Sequence, residues 1–162
     1  MILYTIGYGL WPPAKRRAGL LGSLQQAGVR LLIDTRHSPC ASQLDPANSY
    51  GPRDWHLQAD GGIAAQLANH GIDYRWLVEL GNPQKTDPAM AVLLAHLNSR
   101  NERWPINRGV ALLAKILGET GPCALLCACA DYRQCHRTVV AEAARERFPE
   151  LDIEIAHLPA GG

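Results

Sequence analysis

Three cysteines, a histidine and an arginine fall between Cys127 and Arg137, in the run Cys127-Ala-Cys-Ala-Asp-Tyr-Arg-Gln-Cys-His-Arg137. A short apolar segment ends there and a helical pattern begins. A helix opening near Cys135 would aim its unsatisfied N–H groups and positive dipole end at whatever lies above the turn. Thiols, an imidazole and a guanidinium around such a helix mouth make a site for an anion. Cys135 is the thiol expected to react, because a helix N-terminus beside His136 and Arg137 should lower its pKa. Cys127 and Cys123, at the ends of the apolar run, read as small core residues, and Cys40 as a small loop residue.

Two other readings of the same segment stay open. Cys127, Cys129, Cys135 and His136 supply four soft donors for a metal, although C-x-C-x5-C-H is not the usual pair of separated C-x2-C units. Cys127 to Arg133 also has the spacing of the cysteine–five–arginine loop that cradles a tetrahedral anion around a thiolate. It lacks the glycine that lets such a loop wind tightly. A cation at His136-Arg137 opposes the helix dipole by about 0.3–1 kcal/mol. A carboxylate such as Asp34 or Glu79, or a bound anion, should offset it; an Arg137–Asp34 ion pair and a ligand-binding role for Arg137 stand equally open and are compatible.

The elements that must position these groups read as an α/β chain. Residues 2–6, 29–33, 72–77, 123–127 and 151–156 are apolar runs without alternation, the mark of strands covered on both faces. Helical stripes lie between them: Leu20, Leu21 and Leu24 up to Gly28; Ile63 and Leu67 up to Gly71; Met90, Leu93, Leu94 and Leu97 after Asp87-Pro88; Ile106, Val110, Leu113 and Ile116; and Cys135 to Arg147. The pattern predicts one domain over residues 1–162, a three-layer sandwich with a mainly parallel five-stranded sheet, Rossmann-like. The expected strand order is 3-2-1-4-5, with strands one and four adjacent at the switch point. Ligands of open α/β sheets sit beyond the carboxyl ends of the strands. Tyr8, then Asp34, Arg36 and His37, then Glu79, then Cys129 to Arg137 all fall at those ends. The long polar stretch from Arg36 to Gly62 is of a length that usually serves a function.

Composition narrows the field. The 162 residues carry a net charge of +1, so no global field draws the chain onto nucleic acid or membrane. Five cysteines, with no charged and apolar leader at Met1-Ile-Leu-Tyr, predict a reducing cytoplasm rather than a disulfide framework. Basic residues near Trp11 and Trp104 could stack on single-stranded nucleic acid, but short charge runs at helix starts are more often solvated faces.

Thr5-Ile-Gly-Tyr-Gly9, Ile33-Asp-Thr-Arg-His-Ser-Pro39 with Ser42, Tyr74 through Leu80-Gly81, and Leu126-Cys-Ala-Cys with Cys135-His-Arg137 together resemble the DUF 488 family, a domain of unknown function. The resemblance implies an α/β fold and no agreed activity. Its signature positions fall here on Gly7, Asp34, Arg36, Pro39, Ser42, Gly81, Cys127, Cys135, His136 and Arg137. Three positions depart from its pattern: Gly9 in place of serine, Gln43 in place of arginine, and Cys129 in place of glutamate.

The expectation is a hydrolase or group transferase acting on a phosphate-bearing ligand, a nucleotide or nucleic-acid end. Cys135, His136 and Asp34 would be catalytic, and Arg36, Arg137, Tyr8, Ser42 and Glu79 would bind substrate. The alternatives are a non-catalytic module holding zinc or iron and a nucleic-acid-binding accessory protein. No cofactor and no protein partner is assigned.

Overall fold

The computed structural model describes residues 1–36, 62–84 and 86–160. His37, Pro39, Cys40, Ser42, Gln43 and the rest of the long polar stretch up to residue 61 lie outside the described residues.

Among the described residues there are five strands, β1 (Ile2–Gly7), β2 (Leu31–Asp34), β3 (Asp73–Trp76), β4 (Cys123–Cys127) and β5 (Glu154–Leu158). Five α-helices connect them: α1 (Arg16–Gln26), α2 (Ile63–Asn69), α3 (Ala91–Ser99), α4 (Pro105–Thr120) and α5 (His136–Arg147). Every strand pairing is parallel. Alternate strand residues feed opposite faces. Leu3, Ile33 and Leu125 pack with Leu93, Val110 and Val140 from α3, α4 and α5. Leu32, Ala124 and Leu126 pack with Leu20, Leu24, Ile63 and Leu67 from α1 and α2. Each leucine so enclosed contributes about 1.5–3 kcal/mol of burial. The result is the expected three-layer, Rossmann-like α/β arrangement.

Strand order corrects the expectation. The sheet runs β3-β2-β4-β1-β5, so β4 rather than β1 is central, and β5 pairs with β1 rather than with β4. Burial gives the reason. All residues of β4 are buried, whereas β3 is largely exposed and β5 only half-buried. The strand with most apolar surface takes the place with two strand neighbours and two covered faces. The expected adjacency of β1 and β4 holds.

Helix α3 starts later than the Asp87-Pro88 cap implies. Asp87 accepts from the backbone N–H of Ala89 at 3.0 Å and of Ala91 at 2.9 Å. Met90 between them is left-handed, at φ 54°, which costs a non-glycine residue about 1–3 kcal/mol. Among the described residues no helix is long and apolar enough to cross a membrane.

Candidate functional site

Two chain junctions build the site. After β4, the chain runs through Ala128-Cys129-Ala130 and a 3-10 turn, Tyr132–Gln134, before α5. Asp131 caps that turn by accepting from the Arg133 N–H at 2.9 Å. Cys135 keeps extended backbone, φ −114°, and His136 opens the helix. This break in geometry between neighbours sends the Cys135 thiol and the His136 ring to the same cluster from different angles. After β2, Thr35 and Arg36 lie beside this junction, with the Thr35 N–H donating to the Leu126 carbonyl at 3.0 Å.

The Cys127, Cys129 and Cys135 sulfurs all lie within 4.8 Å of one another, with Cys127 and Cys129 3.8 Å apart. His136 Nδ1 is 3.8 Å from the Cys127 sulfur and 3.9 Å from that of Cys135. Its Nε2 is 3.0 Å from the Thr35 carbonyl oxygen. A carbonyl can only accept, so Nε2 carries the proton and Nδ1 presents a lone pair to the thiols. Burial lowers the His136 pKa, keeping the ring neutral. Cys127 and Cys135 are buried and Cys129 is exposed.

Proton affinities differ among the three thiols, and that of Cys135 shifts opposite to the lowered pKa expected at a helix mouth. Contacts with the Cys129 and Cys135 thiols hold the Cys127 pKa well below the usual thiol range despite burial, and the Arg137 charge adds to this. Cys135 is raised, first by its contact with Cys127, then by Cys129 and burial. Cys129 is raised as well, mainly by Cys127. Within this coupled trio the shifts run in opposite directions, Cys127 toward the thiolate and Cys135 and Cys129 toward the thiol.

Asp34 does not meet Arg137, as the sequence suggested; it meets Arg36. The Asp34 carboxylate, fully buried, accepts from Arg36 Nε at 2.9 Å, from Nη2 at 2.6 Å and from the Arg36 backbone N–H at 3.0 Å. The Tyr74 hydroxyl also donates to it. Burial alone would lower the Arg36 pKa, but the hydrogen bonds and charge of Asp34 leave it raised. Trp76 Nε1 donates to the Arg36 carbonyl at 2.8 Å. Arg36 Nη1 is 3.4 Å from the Tyr8 hydroxyl, whose pKa burial raises.

Arg137 is 1 % exposed. Its Nη1 donates to the Cys129 carbonyl at 2.9 Å, and its Nε has no hydrogen-bond partner among the described residues. Gly7 makes room for this contact, since a Cβ there would lie 1.8 Å from the Cys129 oxygen and 2.8 Å from Arg137 Nη1. Gly9 is equally constrained, its missing Cβ 2.4 Å from the Ala128 oxygen. A serine at Gly9 would collide with the same cysteine-bearing loop.

A cavity of about 170 Å³ opens on Cys127, Cys129 and His136 and is bordered by Arg36, Asp87 and Gln134. Of the residues expected at the site, Cys127, Cys129, His136 and Arg36 line it, and Asp34, Cys135, Tyr8 and Arg137 stand behind those. Glu79 is not brought there. It borders a separate cavity with Trp104 and Arg108, held off because α4 packs its Gly109 against Glu79 and Leu80. The cysteine–five–arginine loop does not form a cradle, because Arg133 is 75 % exposed and paired with Asp131 at 3.0 Å. Trp11 lies against Gly19, and Trp104 is stacked on His96 at 3.8 Å. Sequence reasoning missed Thr35, which orients His136, and Asp87 and Gln134, which border the cavity. Nothing local in the chain marks them. Tyr74 was within reach, since it heads one of the blocks that carried the family resemblance.

Fold and site define a Rossmann-like α/β protein with a cysteine–histidine–arginine centre at the carboxyl edge of its sheet. The chain belongs to the family described as Domain of unknown function DUF488, whose model matches residues 58–144. That span holds Tyr74 and the Cys127–Arg137 segment and leaves out the β1 and β2 strand ends. No curated protein matches the chain, and neither does any solved structure.

Proposed function

We propose that this chain is a metal–thiolate protein in which Cys127, Cys129 and Cys135 hold one soft divalent ion, zinc first, at the floor of a ligand pocket. The observation that carries this reading is the mutual approach of the three sulfurs within 4.8 Å. Sulfurs bound at ~2.3 Å to one tetrahedral ion stand about 3.8 Å apart, so the cluster needs little movement to close on a metal. Thiolate donors select zinc or copper(I) over harder ions. A divalent ion with three thiolates leaves one negative charge, which the buried Arg137 and the α5 N-terminus offset. The Thr35 contact fixes the His136 ring beside the thiols.

The test is metal analysis of protein purified without added metal, joined to a cobalt titration that reads the thiolate-to-cobalt charge-transfer band. About one ion per chain is expected from three-thiolate sites, and Cys127→Ser should abolish it. Substoichiometric metal with no cobalt band overturns the reading.

A second reading, the hydrolase or transferase acting on a phosphate-bearing ligand, is favoured by one observation, the Nε of the buried Arg137, which has no partner among the described residues. Inorganic phosphate should then raise the melting temperature of the metal-free protein. A flat response ends it.

A further inference from the structure

We infer that the fourth coordination position of the three-thiolate centre opens on the cavity and takes an exchangeable ligand, water at rest and a small inorganic anion in its place. This inference rests on the metal–thiolate reading. Among the described residues, the mutually close donors are the three sulfurs alone. His136 Nδ1 adjoins Cys127 and Cys135 but does not belong to that group. Its ring is tethered on the far side, Nε2 to the Thr35 carbonyl at 3.0 Å, which holds it beside the cluster. The cavity reaches Cys127 and Cys129 directly, with His136 also on its wall.

A site with three protein ligands and one open position is the arrangement of reactive zinc centres, whereas four protein ligands close a structural one. Size sets the ligand class. About 170 Å³ accommodates a few water-sized groups, so an anion of a few heavy atoms fits. The surroundings suit such an anion. Arg36 borders the cavity with its guanidinium fixed by Asp34 at 2.6 Å, Gln134 stands at its rim, and the Asp87 carboxylate on the same border is engaged by the Ala89 and Ala91 N–H groups. Met90, held left-handed at φ 54°, supplies an apolar wall. His136, at the metal's flank, then serves as a positioned acceptor toward the bound ligand rather than as a ligand itself.

The experiment uses the full chain loaded with cobalt, titrated with sodium azide and separately with inorganic phosphate, reading the d–d bands. A saturable, dialysable spectral change is expected with at least one anion. Gln134→Trp, which fills the rim from an exposed position, should suppress that change with cobalt still bound. Arg36→Lys should weaken anion affinity about tenfold, the loss of a fixed fork of donors. A cobalt spectrum insensitive to both anions, together with a changed spectrum in His136→Ala, makes His136 the fourth ligand. That outcome overturns this inference and leaves the metal reading intact. Failure to bind cobalt at all overturns the metal reading, and this inference falls with it.

Discussion

Arg36 and Arg137 are almost equally hidden, at 2 % and 1 % exposure, yet their surroundings differ in kind. Arg36 lies against a carboxylate that takes two of its nitrogens, and tyrosine and tryptophan side chains lock both partners. Among the described residues, Arg137 has one bond to a backbone oxygen and a nitrogen with no partner. A buried cation needs a compensating negative charge. The first arginine has a permanent one, so the Asp34–Arg36 unit acts as a fixed strut joining the end of β2 to β3. The second faces thiols, whose charge depends on protons and metal. One region is neutralised within the polypeptide alone, and the other is the region in which the proposed ion would be held.

Asp34→Asn should break this contrast hardest. It leaves the Arg36 charge buried without its counter-ion, and removing one partner of such a pair costs about 3–5 kcal/mol. Urea denaturation of the metal-free protein checks this. An unchanged midpoint would mean that the strut is not structural. Arg137→Met should behave in the opposite sense. Its effect on metal-free stability should stay within about 1.5 kcal/mol, as for a tolerated core swap, while metal affinity falls about 10- to 100-fold with the lost outer contact. Competition with a chromophoric chelator separates the two. Equal losses in both assays would erase the distinction drawn here.

Acidity sharpens the comparison further. Cys127 has a lowered pKa in the folded chain, so the stability it adds is present above the ordinary thiol pKa of about 8.5 and is lost as pH falls through the folded value. His136, also lowered, favours unfolding below about pH 6.5, where only the unfolded chain takes up its proton. Cys123 is pushed up to about 11 by burial and acts in the other direction, costing stability as pH rises above about 8.5. Metal-free stability should therefore peak near the ordinary thiol pKa, and Cys127→Ser should flatten the acid limb. An unaltered acid limb in that variant would remove the thiolate from the account. The smallest effect belongs to Arg133→Ala. Its exposed pair with Asp131 faces solvent, and melting temperature and metal content should both stay as they are. A loss of metal there would revive the anion-cradling loop.

How much of this was legible in the chain differs from residue to residue. The apolar runs at β2 and β4 announced strands because burial on both faces leaves no polar positions to interrupt them. Gly28 and Gly71 marked helix ends, and both adopt positive φ, at 68° and 71°, where a side chain would be strained. The convergence of Asp34, Arg36, His136 and Arg137 on one edge followed from parallel topology alone. Their pairing did not. Asp34 chooses Arg36 over Arg137 because the guanidinium two residues on folds back onto it, while α5 places Arg137 against Gly7.

By itself, then, the sequence determined the layers, the edge and the reactive residue types, since periodicity and composition are properties of a one-dimensional string. Tertiary structure alone decided the central place of β4, the removal of Glu79 to another cavity, and the drawing together of three sulfurs from a run of unpromising spacing. Those outcomes depend on which distant surfaces pack, and on an extended residue set directly before a helical one. Both are settled by contacts between segments that the chain keeps far apart.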